Sequence, residues 1–421
     1  MRRPSATTAF YALEFLLSMP AFVVIAVYLV SEVGLDPLQL ILIGTVMEAA
    51  VFIFEIPTGV FADTYGRKLS IVVSILLQGV AWSLVGLVPH FIPILIAWAL
   101  WGFGYTFMSG AYEAWITDEV GSDKVGPVFV RGQRLSYAGA LLGLGLGVAI
   151  ATYDLSLSVI IAGALTVAVG LLALIAMPES GFRRRQQDEE RPKLGELFVT
   201  AREGARFARR TPLILLLCAT TLFAGAASEA FDRLREAHLI RDVGLPQLGS
   251  LDPVVWFGLL GVASMVVGLL GTTVLLRHFE RATRGGMARL LFALTAVLAA
   301  GWMAFALAGG FALAVGALLV AGLARSLVGP LYMTWLNQQI TDSSVRATVI
   351  SISGQADAIG QSAGGPVLGV IGNAFGIRAA LVAASLVLTP ALGLYARAMR
   401  HGGKEPELEE LPALDALRLG D

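Results

Sequence analysis

Cysteine is almost missing from this chain. One thiol, Cys218, among 421 residues excludes an intramolecular disulfide and any metal centre built on clustered cysteines. Histidine is nearly as scarce, and His90, His238, His278 and His401 fall in no ligand spacing, so no metal is implied. The sequence contains no H-E-x-x-H and no G-x-x-x-x-G-K-[ST], which removes the zincin motif and the phosphate-cradling loop. Charge is the third scarcity: 14% of residues are charged, against roughly a quarter in an average soluble domain. The formal net charge of −1 gives no reason to invoke nucleic acid. No cofactor is implied either.

Apolar residues fill the space that charge leaves. Hydrophobic residues make up 56% of the chain and the mean hydropathy is +0.76. Stretches near or above the roughly 20 residues that cross a bilayer recur along its whole length. They are apolar all round, with none of the alternation of a barrel strand, so the spanning element is the helix. The opening stretch is too long in its apolar part for a secretory signal and contains Glu14, which predicts an uncleaved first span.

Twelve spans are predicted, at 9–30, 38–61, 70–88, 92–115, 133–151, 156–178, 211–231, 254–277, 288–307, 311–336, 348–373 and 378–398. The fold class is thus an all-α integral membrane protein of 12 transmembrane helices in two six-helix bundles. The expected units are a bundle over 1–178, a cytoplasmic linker over 179–210, a second bundle over 211–400 and a tail over 401–421. With both termini cytoplasmic, 25 of the 30 lysines and arginines fall on the inner side and 4 on the outer side. Arg325 in mid-helix completes the set. That bias is the positive-inside signature, and a count of spans wrong by one would scramble it.

The linker admits two readings. Leu194, Leu197, Phe198 and Ala201 could form one side of a surface helix, with Arg202, Arg206 and Arg209 toward anionic lipid. Otherwise it is a solvated basic connection. The tail reads as a short acidic amphipathic helix or as disorder. The halves echo each other in glycine-rich tracts of their fifth spans, "YAGALLGLGLGV" and "GQSAGGPVLGV", expected to serve close packing of spans 5 on 8 and 2 on 11.

The stretch "EIPTGVFADTYGRKLS" (55–70) interrupts the apolar pattern where the second span ends. Gly59 admits a neighbouring helix, Gly66 permits a tight turn, and Asp63 stands four residues before Arg67, beside Lys68. Simple positive-inside topology is the plainer reading of these charges. The full pattern resembles the loop signature between the second and third helices of the major facilitator superfamily, and the six-plus-six arrangement extends that resemblance over essentially the whole chain. The resemblance implies two bundles rocking about a central cavity. It also implies a charge relay of Asp63 and Arg67 with Asp118 at the inner end of the fourth span. The second half keeps only the basic residues of the motif, in "LRHFERATRGGMARL".

Two departures from drug–proton antiporters of that family stand out. Their fourth helix usually carries an arginine four residues before a glycine, where this chain has Trp98 in "AWALWGFG". Their fifth-helix pattern keeps Gly139, Gly143 and Gly147 here, but Leu144 replaces the proline and Val148 the last glycine.

Ionisable residues at mid-bilayer cost roughly 2.5–3.5 kcal/mol by insertion scales and mark functional candidates. Glu48, Arg325 and Asp357 are deep; Glu14, Glu55 and Glu113 lie nearer the inner face, and Glu229 and Asp232 near the outer end of the seventh span. These acids are the candidates for binding substrate and carrying protons, since a carboxylate away from water favours its protonated form. A purely structural Arg325–Asp357 ion pair is the competing reading. Trp98, Trp101, Tyr105, Met108 and Tyr112 follow 3–4 spacing, either as packing or lipid contact or, for the aromatics, as a cavity wall suited to lipophilic cations.

Taken together, these features lead to expect a secondary active transporter rather than an enzyme. The first expectation is proton-coupled efflux of small amphipathic or drug-like compounds. Proton symport of a metabolite is the alternative, and a non-transporting receptor the third reading. The partners are then a small-molecule substrate, protons and the lipid of the plasma membrane, and the family resemblance implies a monomer.

The topology has a direct check. In a Cys218→Ser background, Gln187→Cys should react with a membrane-impermeant maleimide only after the cytoplasmic side is opened. Gln247→Cys should react in intact cells. The reverse labelling would invert the proposed orientation.

Overall fold

A computed structural model describes residues 4–20, 22–181, 212–247, 249, 252–279, 284–340 and 343–401, and its regular structure is helical throughout. In chain order the helices are α1 (Ala6–Leu17), α2 (Phe22–Ser31), α3 (Pro37–Tyr65), α4 (Arg67–Leu87), α5 (Phe91–Thr106), α6 (Ala111–Val120) and α7 (Ser122–Ala151). They continue as α8 (Leu155–Ala176), α9 (Pro212–His238), α10 (Val254–Phe279), α11 (Arg284–Ala306), α12 (Phe311–Gln339), α13 (Ser343–Phe375) and α14 (Ile377–His401). Among the described residues, 10 helices are long and apolar enough to cross a membrane. The linker and tail expectations lie outside the described residues.

Local chemistry sets the helix ends. Asp36 caps α3 in a reciprocal box with Gln39, and Pro37 occupies the first turn, where its missing N–H costs nothing. Gly66, at φ +113°, turns α3 into α4 through one residue, a conformation that a side chain would strain. Asp154 caps α8 by accepting from the Leu157 N–H and the Ser156 hydroxyl, and these bonds hold its carboxyl below the usual aspartate value. That cap is present above the ordinary aspartate pKa and is lost as pH falls through the lowered one.

Four expected spans differ from the helices found; one of them, the fifth, expected over 133–151, starts eleven residues earlier, at Ser122. The first, 9–30, is divided into α1 and α2 around Pro20, which has no N–H to continue the ladder. The fourth, 92–115, breaks after Thr106, restarts past Gly110 and runs on to Val120. The seventh, expected over 211–231, extends through His238 into a π turn over Leu239–Val243. Its continuation is polar, but the charges pair along the helix, Glu229 with Arg233 and Asp232 with Arg235, and the His238 ring hydrogen-bonds Asp242 at 2.8 Å. Arg233 and Arg235, two of the four basic residues counted on the outer side, are therefore inside a helix.

Glycine sets the closest approaches. A Cβ on Gly139 or Gly143 of α7 would strike the backbone of Phe15 or Met19 at the end of α1. One on Gly360 or Gly364 of α13 would strike Leu222 or Ala226 of α9. The fifth-span glycines thus pack on the first helix of their own half, not on span 8 as expected for α7. The contact of α7 with α10 is made by Gly258 and Gly261, which sit against Val148 and Leu144. The expected approach of spans 2 and 11 is present, with Gly369 against Leu38 and Gly372 against Pro37.

One core cluster surrounds Phe10, Ile75 and Trp115, another Leu217, Leu291 and Trp335. A third crosses between the earlier and later helices, joining Tyr28, Ile41 and Trp82 to Phe231, Trp302 and Phe305. Hydrogen bonds between the two parts gather at the Asp36 end. Asn373 accepts from the Leu38 N–H at 2.9 Å and donates to Asp36, while Arg241 donates to the carbonyls of Val30 and Leu35 at 3.0 and 2.9 Å. Toward the Gly66 end, Gly59 and Gly354 have open space beside them.

Packing at Gly143 should be unforgiving. Gly143→Val overfills the α1 contact, at about 1–3 kcal/mol, and should lower the melting temperature by several degrees. Gly145→Ala, facing open space within the helix, should melt at or a few degrees above the parent. Equal melting of the two variants would refute this packing.

Candidate functional site

Between the earlier and later helices lies a cavity of about 300 Å³, lined by Glu48 from α3, Trp98 from α5, Gln361 from α13 and a charged row from α9. That row, Glu229, Asp232, Arg233, Arg235 and Glu236, exists because charges three and four residues apart share a face and neutralise one another. Gly44 of α3 makes the room, since a Cβ there would overlap Glu229 and Arg233.

Each arginine here has an acid. Arg233 Nε donates to Glu229 Oε1 at 3.0 Å, and Arg235 Nε to Glu236 Oε1 at 2.7 Å. Arg325 of α12 grips both oxygens of Asp232, at 2.5 and 2.7 Å. The Arg325–Asp357 pair read from sequence is therefore replaced by Arg325–Asp232. A two-pronged geometry with α9 satisfies the planar guanidinium better than a single charge would. Asp357 instead accepts from Gln361 Nε2 at 2.8 Å and packs against Gly225. Glu229, Arg233 and Asp357 are the charged neighbours of Glu48. Among the described residues, neither Glu48 nor Asp357 has an ion-pair partner.

The aromatic stripe does not act as one unit. Trp98 lines the cavity, with the Arg233 guanidinium 4.9 Å from its ring centroid. Trp101 stacks on Tyr105 at 5.6 Å. Tyr112, beyond the α5–α6 break, stacks on Phe10 in another cluster and donates to the Phe10 carbonyl, with Glu14 beside it. Glu14 is thus placed among α1, α6 and α7, away from Glu48. Glu55 is exposed and accepts from the Ser109 hydroxyl, and Glu113 is exposed at the start of α6.

At the Gly66 end, Arg67 pairs with Asp118 at 2.5 Å, and Asp63 is exposed without an ion-pair partner among the described residues. Lys68 donates through Nζ to the Met177 carbonyl and through its backbone N–H to Glu179. Trp115 Nε1 donates to the Pro178 carbonyl. The end of α8 is thereby tied to the α3–α4 turn and to α6. The string Gly360-Gln361-Ser362-Ala363-Gly364 spells G-x-S-x-G, but it lies inside α13 and not on the strand-to-helix elbow that presents a nucleophile.

The residues missed from sequence are Gly44, Arg233, Arg235 and Glu236. A signal existed for the last three: acids and arginines at 3–4 spacing in "EAFDRLRE" mark an internally paired helix face.

The comparisons with known proteins agree with this architecture. The family model described as Major Facilitator Superfamily matches residues 7–364. An uncharacterized MFS-type transporter, YxaM, of Bacillus subtilis (strain 168) is 26% identical over 377 residues, covering 87% of this chain and 89% of that protein. The crystal structure of the nucleoside transporter NupG is similar in fold, with a TM-score of 0.74 at 12% identity over 96% of this chain and 100% of that one. An inward-facing, unoccupied bacterial homologue of the human lysosomal transporter Spinster gives 0.70 at 15%, over 95% and 98%.

Removing one partner of the α9–α12 pair should expose its energetic role. Arg325→Met leaves Asp232 without its guanidinium and should cost about 1.5–3 kcal/mol of stability. The double variant Arg325→Met/Asp232→Leu should recover much of that loss in thermal melts. No recovery would mean that the two side chains are not coupled.

Proposed function

The chain belongs to the Major Facilitator Superfamily, and from that premise we propose that it is a proton-coupled transporter exporting small amphipathic compounds by alternating access. Two six-helix halves, residues 1–178 and 211–400, rock about the cavity between them. The Asp36 end faces outward and is closed; the Gly66 end faces the cytoplasm and is open. The inward-facing Spinster homologue, similar in fold, supports that assignment of state.

One observation carries the coupling. Arg233, Arg235 and Arg325 are matched by Glu229, Glu236 and Asp232, which leaves as acids in excess Glu48 in the cavity wall and Asp357, set behind the lining residue Gln361. An uncompensated carboxylate deep in the membrane is costly, so each must take up either a proton or a cation. Proton and cationic substrate then compete for the same charge, and release of one accompanies capture of the other. That mutual exclusion is antiport. The guanidinium that antiporters carry on their fourth helix is absent from α5, but Arg233 of α9 stands over Trp98, at that very position.

At the cytoplasmic end, the Arg67–Asp118 pair fixes α4 to α6 and steadies the rim of the open state, with Asp63 poised to meet the other half on closure. Symport of a metabolite is the second reading. It is favoured by the lack of the fourth-helix arginine.

Purified protein in liposomes with an imposed pH gradient separates these readings. Accumulation of a lipophilic amine against its gradient, driven by protons moving oppositely, is expected; movement of both in one direction would favour symport. Glu48→Gln should reduce gradient-driven flux at least about tenfold and flatten its pH dependence. An unchanged pH profile in both Glu48→Gln and Asp357→Asn would sink the coupling assignment.

A further inference from the structure

The 300 Å³ chamber adjoins another of about 500 Å³, with walls that include Tyr137, Leu144, Phe257, Leu260 and Met265. The two chambers share Arg235 and Glu236. The smaller holds all the acids and arginines, these two included, beside an apolar wall of Ile25, Leu29, Leu40 and Ile43, and the larger is lined mainly by apolar side chains. Their junction is where an amphipathic molecule would place the boundary between its charged head and its apolar body.

Glu236 is nearly fully buried at this junction. Its Oε1 accepts from Arg235, but its Oε2 has no hydrogen-bond partner among the described residues. A buried carboxylate oxygen without a donor is an expensive arrangement, and a ligand supplying an N–H resolves it. Arg235 already reaches toward Asp232, at 3.6 Å, so a cation arriving at Glu236 leaves that arginine with a second acid. Trp98 Nε1, also buried in the polar chamber without an acceptor among the described residues, marks the same region as built around something polar.

We propose that Glu236 supplies the hydrogen-bond acceptor for the substrate's head while Glu48, in the same chamber, supplies the unpaired charge, and that Glu236 thereby selects amphipathic amines bearing at least one N–H, with their apolar body in the larger chamber. The proposal rests on the transporter reading for its biological sense, but the selectivity follows from hydrogen bonding. A quaternary ammonium has the same charge and no donor. It satisfies the Coulombic demand and leaves Oε2 unpaired.

The test is equilibrium binding to the purified full chain in nanodiscs, with no pH gradient, at neutral pH. The probes are protonated N,N-dimethyl(naphthalen-2-ylmethyl)amine and its quaternary N-methyl derivative. The tertiary amine should bind about tenfold or more tightly than the quaternary one. Glu236→Gln should abolish that preference, and Glu236→Asp should weaken binding while keeping it. Size-exclusion and thermal profiles of each variant identify one that has failed to fold, and Glu236→Asp then carries the test. Equal binding of the two probes, no binding of either, or a preference that survives Glu236→Gln would overturn the assignment. Selective binding without liposome flux would defeat the transport reading alone. Driven flux of another compound without amine selectivity would defeat this inference alone.

Discussion

The organising constraint in this molecule is that charge held away from water must find its opposite. The α9 helix carries acids and arginines through a region that the rest of the chain keeps apolar, and it can do so because they neutralise one another within and across helices. That pairing is why α9 continues past the point where hydropathy alone ends it. It also aligns the remaining elements: Gly44 recedes to admit Glu229 and Arg233, Arg325 is drawn in from α12, and Trp98 receives Arg233 on its face.

A second regularity comes from glycine. In each half the fifth-span glycines meet the backbone of the first helix, Gly139 and Gly143 against α1, Gly360 and Gly364 against α9. Contacts of this kind depend on backbone approach, so they are stiff in distance but permissive in rotation. The same device in both halves is the structural counterpart of the faint repeat in the two glycine tracts, and it is what internal duplication of a transporter scaffold leads one to expect.

Much of the fold was legible because hydrophobic length is a strong signal: each expected span falls on a helix or, for the first and fourth, on a helix pair. What hydropathy averages over was lost. The break at Pro20 hides inside a long apolar run, and the extension of α9 hides behind charges that a window counts as polar although they cancel. For the candidate site, Glu48, Glu229, Arg325 and Asp357 were found by the expense of an isolated charge in a membrane. Their partners were not, because pairing across helices depends on helix rotation, which the sequence does not encode locally. Arg325 had two acids to choose from, and only the α9–α12 geometry decides for Asp232. Glu14 and Tyr112 were distinguishable only once the α5–α6 break was known.

The clasp of Arg241 on the carbonyls of Val30 and Leu35 has an implication of its own. A guanidinium bound to main-chain oxygens recognises the path of the chain and is blind to the side chains on it. The turn from α2 to α3 is therefore free to drift in composition without loosening this fastening, provided its curvature is kept. Undoing the fastening exchanges carbonyl for water at a rim of the bundle, a near-even trade. A contact of this kind gives the turn a definite position and asks only a modest free energy for its release.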